Sequence, residues 1–275
     1  MLDMSSMLQT QPSLDKLRWI MAQLRDPETG CPWDLKQDFE SIVSCTLEEA
    51  YEVADAIDQG DFVELEKELG DLLFQVIFYS QLGMEQKKFD LDSVIAAICE
   101  KLIRRHPHVF DSNYKTLNEN EIKANWENEK AKERQQKHTQ LATEQSLSIL
   151  TDIPKNLPAL TQAAKIQKRC AHVGFDWQQI DDVFDKVVEE VEEVKAELHI
   201  NPAALAEELG DLMFAVVNLC RHAKQDPETL LRKANQKFTK RFNLVEKKVA
   251  QSGKDFLQHD CAELEQYWQQ IKSNE

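Results

Sequence analysis

Residues 189–211 read E-E-V-E-E-V-K-A-E-L-H-I-N-P-A-A-L-A-E-E-L-G-D, from Glu189 to Asp211. The spacing predicts two helices joined by a short turn at Asn201-Pro202. The first carries Glu190 and Glu193, the second Glu208 and Asp211. Each pair is spaced i, i+3 and so projects from one helix face. Glu190 shares a stripe with Val187 and Val194, and Glu208 with Leu205 and Leu212. These carboxylates interrupt apolar faces rather than decorate solvated ones. Antiparallel packing of the two helices makes all four acids converge. Unpaired carboxylates in a partly dry groove repel one another and take up protons unless a cation neutralises them. Hard oxygen donors with no Cys or His beside them suit Mg²⁺ or Mn²⁺.

The signature occurs twice. Glu48, Glu49 and Glu52 form an earlier E-E-x-x-E, followed by E-L-G-D from Glu68 to Asp71. An acidic helix face met once is usually only a solvated face. Two copies, with the second acidic pair at nearly the same distance, reverse that judgement. Gly70 and Gly210 fall inside the second helix of each copy. A mid-helix glycine costs ~1 kcal/mol relative to Ala, and its repetition predicts a close approach of the two helices there.

The chain has 275 residues, a formal net charge of −16, 7 Gly and 8 Pro. This length buries a proper core in one large domain or two modest ones, and few Gly and Pro favour helices. No run alternates as a strand would. The negative charge argues against nonspecific nucleic-acid binding and against anionic membrane surfaces. No apolar run reaches membrane-spanning length, and Met1 to Thr10 lacks the basic start and apolar core of a signal peptide. Six dispersed cysteines without C-x-x-C read as free thiols in a reducing cytoplasm.

In chain order, Ser13 caps a short helix to Arg25, and a loop follows through Cys31-Pro32-Trp33-Asp34. Thr46-x-x-Glu49 has the pattern of a capping box and predicts a helix start at Thr46. That helix ends near Gln59-Gly60, and Asp61 caps the next. Another amphipathic helix runs from Asp92 to Arg105, before Pro107, and a polar one from Asn118 to about Lys137 with Trp126. Gln135 to Gln145 is polar without apolar periodicity and reads as linker. The second half repeats the first: Trp177 matches Trp33, Glu190 matches Glu49 and Glu208 matches Glu68. Lys237 matches Lys101, Arg241 matches Arg105 and Trp268 matches Trp126. Asp181 or Asp182 is the expected cap of the Glu190 helix, and Pro202 opens the Glu208 helix. The expected organisation is all-α: a domain over residues 1–137, a linker over 138–157, and a domain over 158–275.

Cations accompany the acids. Lys237 and Arg241 are i, i+4 on one helix, and Lys165, Lys168 and Arg169 share another. Read alone, each set is as readily a solvated helix face. Beside a metal-bearing groove, they are what a polyphosphate needs. Trp177 and Trp268 offer stacking surfaces for a base.

Taken jointly, E-E-x-x-E with E-L-G-D-L-x-F, the G-C-P-W-D loop, R-R-H-P-H-V-F, K-I-Q-K-R-C-A-x-V-G-F-D-W and K-x-N-x-K-F-x-x-R-F resemble the MazG family. These are nucleoside triphosphate pyrophosphohydrolases. The resemblance spans nearly the whole chain and includes the duplication. It implies tandem all-α bundles that dimerise through helices. It also implies Mg²⁺-dependent hydrolysis of ribo- and deoxyribonucleoside triphosphates to monophosphate and pyrophosphate, in nucleotide-pool housecleaning. By the resemblance, the metal ligands fall on Glu190, Glu193, Glu208 and Asp211, and in the first copy on Glu49, Glu52, Glu68 and Asp71. Substrate contacts fall on Lys186 to Glu190, on Lys237 and Arg241, and on Trp268. Glu189 or Glu193 orients the attacking water.

The copies differ. Aligning Trp33 with Trp177 places Met21 on Lys165, Leu24 on Lys168 and Arg25 on Arg169. The first copy thus lacks two cations, and Pro107 follows closely behind Arg105. The C-terminal copy is therefore the expected main catalyst. The first reads as a weak site, a site of different specificity or a dimerisation scaffold. Two rival readings fit the pattern less well. A di-iron bundle uses Glu-x-x-His, but Glu68 and Glu208 are followed at i+3 by Asp71 and Asp211. A noncatalytic acidic interaction protein has no need of convergent metal ligands.

Overall fold

The computed structural model describes residues 11–111, 118–140 and 148–274, and among them every regular element is helical. Contacts divide the chain into two compact units, Met1–Glu133 and Arg134–Glu275.

The first unit opens with α1 (Leu14–Leu24), whose N-terminus is capped by the Ser13 hydroxyl, accepting from the Lys16 amide at 3.1 Å. Then come α2 (Val43–Gln59), α3 (Phe62–Glu85), α4 (Leu91–Arg105) and the single turn α5 (Pro107–Phe110). α2 begins three residues before Thr46, so Thr46 is not a cap. Its hydroxyl instead donates to the Ile42 carbonyl and meets the Tyr79 hydroxyl at 3.0 Å, tying α2 to α3. Gly60 ends α2 in the left-handed region, φ 71°, which a residue without Cβ adopts at no steric cost. Asp61 then caps α3, accepting from the amides of Val63 and Glu64. The core gathers Met21, Ile42, Ile77, Phe78, Leu82 and Leu91. Arg25 is nearly buried beneath it. Its guanidinium pairs with Glu85 at 2.7 Å, donates to the carbonyls of Asp34 and Gln37, and stands over the Phe78 ring at 5.5 Å.

Helix α6 (Glu119–Gln140) crosses the boundary between the units. Of the expected linker 138–157, the first residues continue this helix, and residues 141–147 lie outside the described residues. From residue 148 the chain is held on the second unit. Arg169 donates to the Ile149 carbonyl and pairs with Asp152 at 2.6 Å, and Ile153 is buried.

The second unit continues with α7 (Ala159–His172), α8 (Ile180–Glu197), α9 (Pro202–His222), α10 (Pro227–Ser252) and α11 (Cys261–Ser273). Neither Asp181 nor Asp182 caps α8: the cap position is Gln179, and both acids fall in the first turn, where they complement the helix dipole. Asn201 caps α9 through its side chain, with Pro202 at the first helical position. α8 and α9 pack along each other as a hairpin, and α7 lies across α9. α10 and α11 pack through Val245, Val249 and Ile271. A Cβ added at Gly70 or Gly210 would meet nothing within 4 Å, so neither glycine marks a close approach within the chain.

Glu133 of α6 ties that helix to the end of α4. Its carboxylate takes Arg105 at 2.5 Å and Arg104 at 2.6 Å. The Arg105 hydrogen bond, with Arg104 adding to it, outweighs burial and draws the Glu133 pKa from the ordinary 4.5 to about 2. A carboxylate depressed on folding stabilises the fold above its unfolded pKa and loses that contribution as pH falls through the folded one. Glu133→Gln is therefore expected to lower the melting midpoint at pH 7 by roughly 2 °C. The gap from the unsubstituted chain should close as pH falls from 4.5 towards 2, which melts followed across that range will show.

Candidate active site

The α8–α9 hairpin brings carboxylates together as the i, i+3 spacing requires. Oxygens of Glu190, Glu193 and Glu208 lie within 4.8 Å of one another. Asp211, one turn beyond Glu208, lines the cavity that adjoins them. In the first unit the matching group is Glu49, Glu68 and Asp71, again within 4.8 Å. Glu52 falls outside that group but is near enough for its charge to act on both Glu49 and Glu68. Each copy thus clusters three of its four acids, and a different one stands aside.

Burial and mutual repulsion act on these groups together. Partial burial, then the charges of Asp71, Glu52 and Glu48, push the Glu49 pKa up. Glu68 is raised by desolvation and by Glu52, and Glu193 by desolvation and by Glu190. Glu190 is only 5% exposed. One of its oxygens receives Lys186 at 2.8 Å, while the other, Oε2, is buried with no hydrogen-bond partner. An orphaned buried acceptor costs ~1–3 kcal/mol, more when charged. Lys186 also reaches Glu189 at 2.8 Å, and the two carboxylates hold its ammonium firmly protonated.

Beside this group lies a cavity of about 230 Å³. Lys186, Glu190 and Asp211 form its charged end. Phe175, Trp177 and Phe214 line it with aromatic surface. Asn218, Arg221 and Asp176 make a second polar region. The Arg221 guanidinium donates to Asn218 Oδ1 and is itself clamped by Asp176, which also meets His222 Nε2 at 3.0 Å. Burial alone would raise the Asp176 pKa; the hydrogen bonds from Arg221 and His222 overcome it and hold the carboxyl below its ordinary range.

None of Lys165, Lys168, Arg169, Lys237, Arg241 and Trp268 lines this cavity. α7 turns Ile166, Gln167 and Cys170 to it, leaving Lys165 and Lys168 exposed and Arg169 engaged with Asp152. Lys237 and Arg241 lie on α10. There the Arg241 guanidinium is 5.9 Å from the Trp268 ring centroid, and Phe238 stacks on the same indole at 5.0 Å. In the first unit Arg105, the match of Arg241, is held by Glu133, and Trp126 packs against His106 and Lys130.

Sequence reading missed Gln167, Asn218 and Arg221. The signal was present. Asn218 is two turns beyond Asp211, a polar residue inside the apolar run Leu212 to Leu219, by the same logic that singled out the acids.

The family model for the MazG nucleotide pyrophosphohydrolase domain matches residues 37–110 and 178–250, once in each unit. The nucleoside triphosphate pyrophosphohydrolase of Escherichia coli (strain K12) is 51% identical over 265 residues, covering 95% of this chain and 98% of that one. The nucleoside triphosphate pyrophosphohydrolase/pyrophosphatase MazG of Thermotoga maritima is 38% identical, over 95% of this chain and 96% of its own. The uncharacterized protein YabN of Bacillus subtilis is 40% identical over 94% of this chain and 51% of its own length. Two matched domains, three clustered carboxylates in each, and relatives aligned end to end agree: the chain belongs to the MazG nucleotide pyrophosphohydrolase family.

Proposed function

We infer that the chain hydrolyses nucleoside triphosphates, ribo and deoxyribo, to nucleoside monophosphate and pyrophosphate by attack at the α-phosphate, in housecleaning of the nucleotide pool. The observation that carries this reading is the orphaned, buried Glu190 oxygen among three clustered carboxylates, opening onto an aromatic cavity. An all-oxygen donor set with uncompensated charge fits a hard divalent cation, Mg²⁺ or Mn²⁺, held by Glu190, Glu193, Glu208 and Asp211. Bound there, such a cation supplies neutralisation of the triphosphate and polarisation of the α-phosphate.

The chain's own groups do the rest. Glu193 belongs to the ligand cluster, whereas Glu189 stands outside it and is oriented by Lys186. That division leaves Glu189 to orient the water and Glu193 to hold the cation. Lys186 faces the cavity from the charged end and meets the phosphates there. Lys237, Arg241 and Trp268 stay in the reading on the family resemblance, and Lys165, Lys168 and Arg169 on their charge, as outer contacts of the triphosphate. Arg169 must leave Asp152 to make one.

The C-terminal copy is the main catalyst in this reading. Its first-unit counterpart keeps acids but carries Phe78, fully buried in the core, where α9 carries Asn218. The active species is a homodimer. α9 leaves Leu209, Met213 and Val216 exposed, and α3 leaves Leu69, Leu73 and Val76 exposed. Those stripes run beside Gly210 and Gly70, where open space awaits a second helix. The compartment is the cytoplasm, on the six free thiols. Nucleic acid is not a partner, given the net charge of −16.

In full-length chains assayed with Mg²⁺ by phosphorus NMR, Glu208→Gln should lower kcat on the order of 10²-fold or more. Glu68→Gln should leave most activity in place. Calorimetry should show Mg²⁺ affinity of the second site falling more than ~10-fold in Glu208→Gln. Full turnover by folded Glu208→Gln, or diphosphate and orthophosphate as products, defeats the reading. For the dimer, Met213→Glu should shift the sedimenting species from two chains to one.

A further inference from the structure

Two amide side chains in the C-terminal cavity are each fixed in one orientation, and each has one half of its amide without a hydrogen-bond partner among the described residues. Asn218 is 5% exposed. Its Oδ1 accepts from Arg221 Nε at 2.9 Å and Nη2 at 2.7 Å. Those two donors settle which end of the amide is oxygen, and Asp176 and His222 in turn hold the guanidinium in place. What Asn218 has left to offer is its Nδ2 donor. Gln167 is 6% exposed. Its Nε2 donates to the Phe214 carbonyl at 2.8 Å, and its Oε1 is buried without a partner. What Gln167 has left is an acceptor.

The anchor of one lies a single helical turn from the other. The Phe214 carbonyl that anchors Gln167 is the i−4 partner of the Asn218 amide in α9, and both side chains line the same cavity. Along α9, Asp211 and Asn218 are seven residues apart on one face, roughly 10 Å by helix rise. That is the reach from a nucleotide's phosphates to its base. Between the ends, Trp177 and Phe214 supply flat apolar surface.

We propose that Gln167 and Asn218 read the edge of the nucleobase, the Gln167 carbonyl accepting from a base N–H and the Asn218 amide donating to a neighbouring base acceptor. The proposal rests on the pyrophosphohydrolase reading of this site and names its specificity residues. Every common base presents a donor beside an acceptor on its pairing edge, and an extruded base is read by this kind of contact between apolar walls. One donor and one acceptor therefore admit purine and pyrimidine alike while rejecting a ring that lacks either group. The first unit provides an internal contrast. At the Asn218 position it has Phe78 and at the Arg221 position Gln81, so the amide donor and its lock are both missing.

The test compares ATP with purine riboside 5′-triphosphate, which is ATP without the 6-amino group. It keeps the ring acceptor for Asn218 but has no donor for Gln167. The full-length chain with Mg²⁺ should favour ATP roughly 10-fold in kcat/KM, the consequence of leaving the Gln167 oxygen unpaired. Gln167→Met should erase that preference by lowering ATP turnover alone. Asn218→Leu should lower both substrates about equally, chiefly through KM. Equal turnover of the two nucleotides by the unsubstituted chain overturns the proposal without recourse to any variant. So does a Gln167→Met chain that loses both activities in parallel and keeps their ratio. Hydrolysis of neither nucleotide by the unsubstituted chain defeats the pyrophosphohydrolase reading itself, and this proposal with it. Hydrolysis of both at equal rates defeats the base-reading pair alone.

Discussion

Carboxylates placed on apolar stripes govern this molecule. A helix that buries Glu190 between valines accepts a charge where the fold needs a hydrocarbon, and Lys186 answers only one of its two oxygens. Glu193 and Glu208 then add like charge within 4.8 Å. No packing gain follows from that arrangement, since an apolar residue would fill the same position without a desolvation penalty. The same uncompensated charge recurs around Glu49 and Glu68, whose pKa values rise for the same two reasons, burial and neighbouring acids. A fold that keeps this cost twice holds it for a ligand that brings positive charge.

The rest of the second unit can be traced from that constraint. The acids must converge, so α8 and α9 are joined by a short turn, after which Asn201 caps α9 and Pro202 starts it. The hairpin alone cannot cover its own groove, so α7 crosses it, and Gln167 takes a carbonyl of α9 as anchor. The loop after α7 then returns Asp176 to Arg221, which closes the far side of the cavity. In the first unit the Asn218 position is taken by Phe78. Phe78, Met21 and Ile42 are core there, and Arg25 is spent on Glu85 and two carbonyls. The two units thus share the acidic hairpin and differ beside it: a core phenylalanine in one, a cavity-lining amide in the other.

The helices and the acidic convergence were legible because both depend on local spacing. Periodicity placed the helices, and i, i+3 carboxylates on apolar stripes announced the cluster. Helix starts were less legible. Thr46 satisfies the capping-box pattern, yet the chain turns helical at Val43, because the Thr46 hydroxyl finds the Ile42 carbonyl and Tyr79. Gly70 and Gly210 read as points of helix contact, but among the described residues a Cβ added at either would meet no neighbouring element within 4 Å. Arg169 read as a phosphate ligand by charge alone; its reach to Asp152 and the Ile149 carbonyl depends on a segment whose docking no periodicity foretells. Gln167 and Asn218 were overlooked because neutral amides leave no mark on charge patterns, although Asn218 breaks an apolar run as plainly as Glu190 does.

Charge and neutrality divide the labour along α9. Its N-terminal half carries Glu208 and Asp211, groups whose worth depends on the cation they attract. Its C-terminal half carries Asn218, whose oxygen is fixed by Arg221, while Arg221 is fixed by Asp176. Both members of that ion pair line the cavity as well, but they are paired with each other, and together they orient a neutral amide. An aimed charge selects strongly among partners, whereas a locked amide asks only that an acceptor be present. A rigid helix sets the distance between the two ends, so the same two turns that bring the acids into the groove also fix where the locked amide stands.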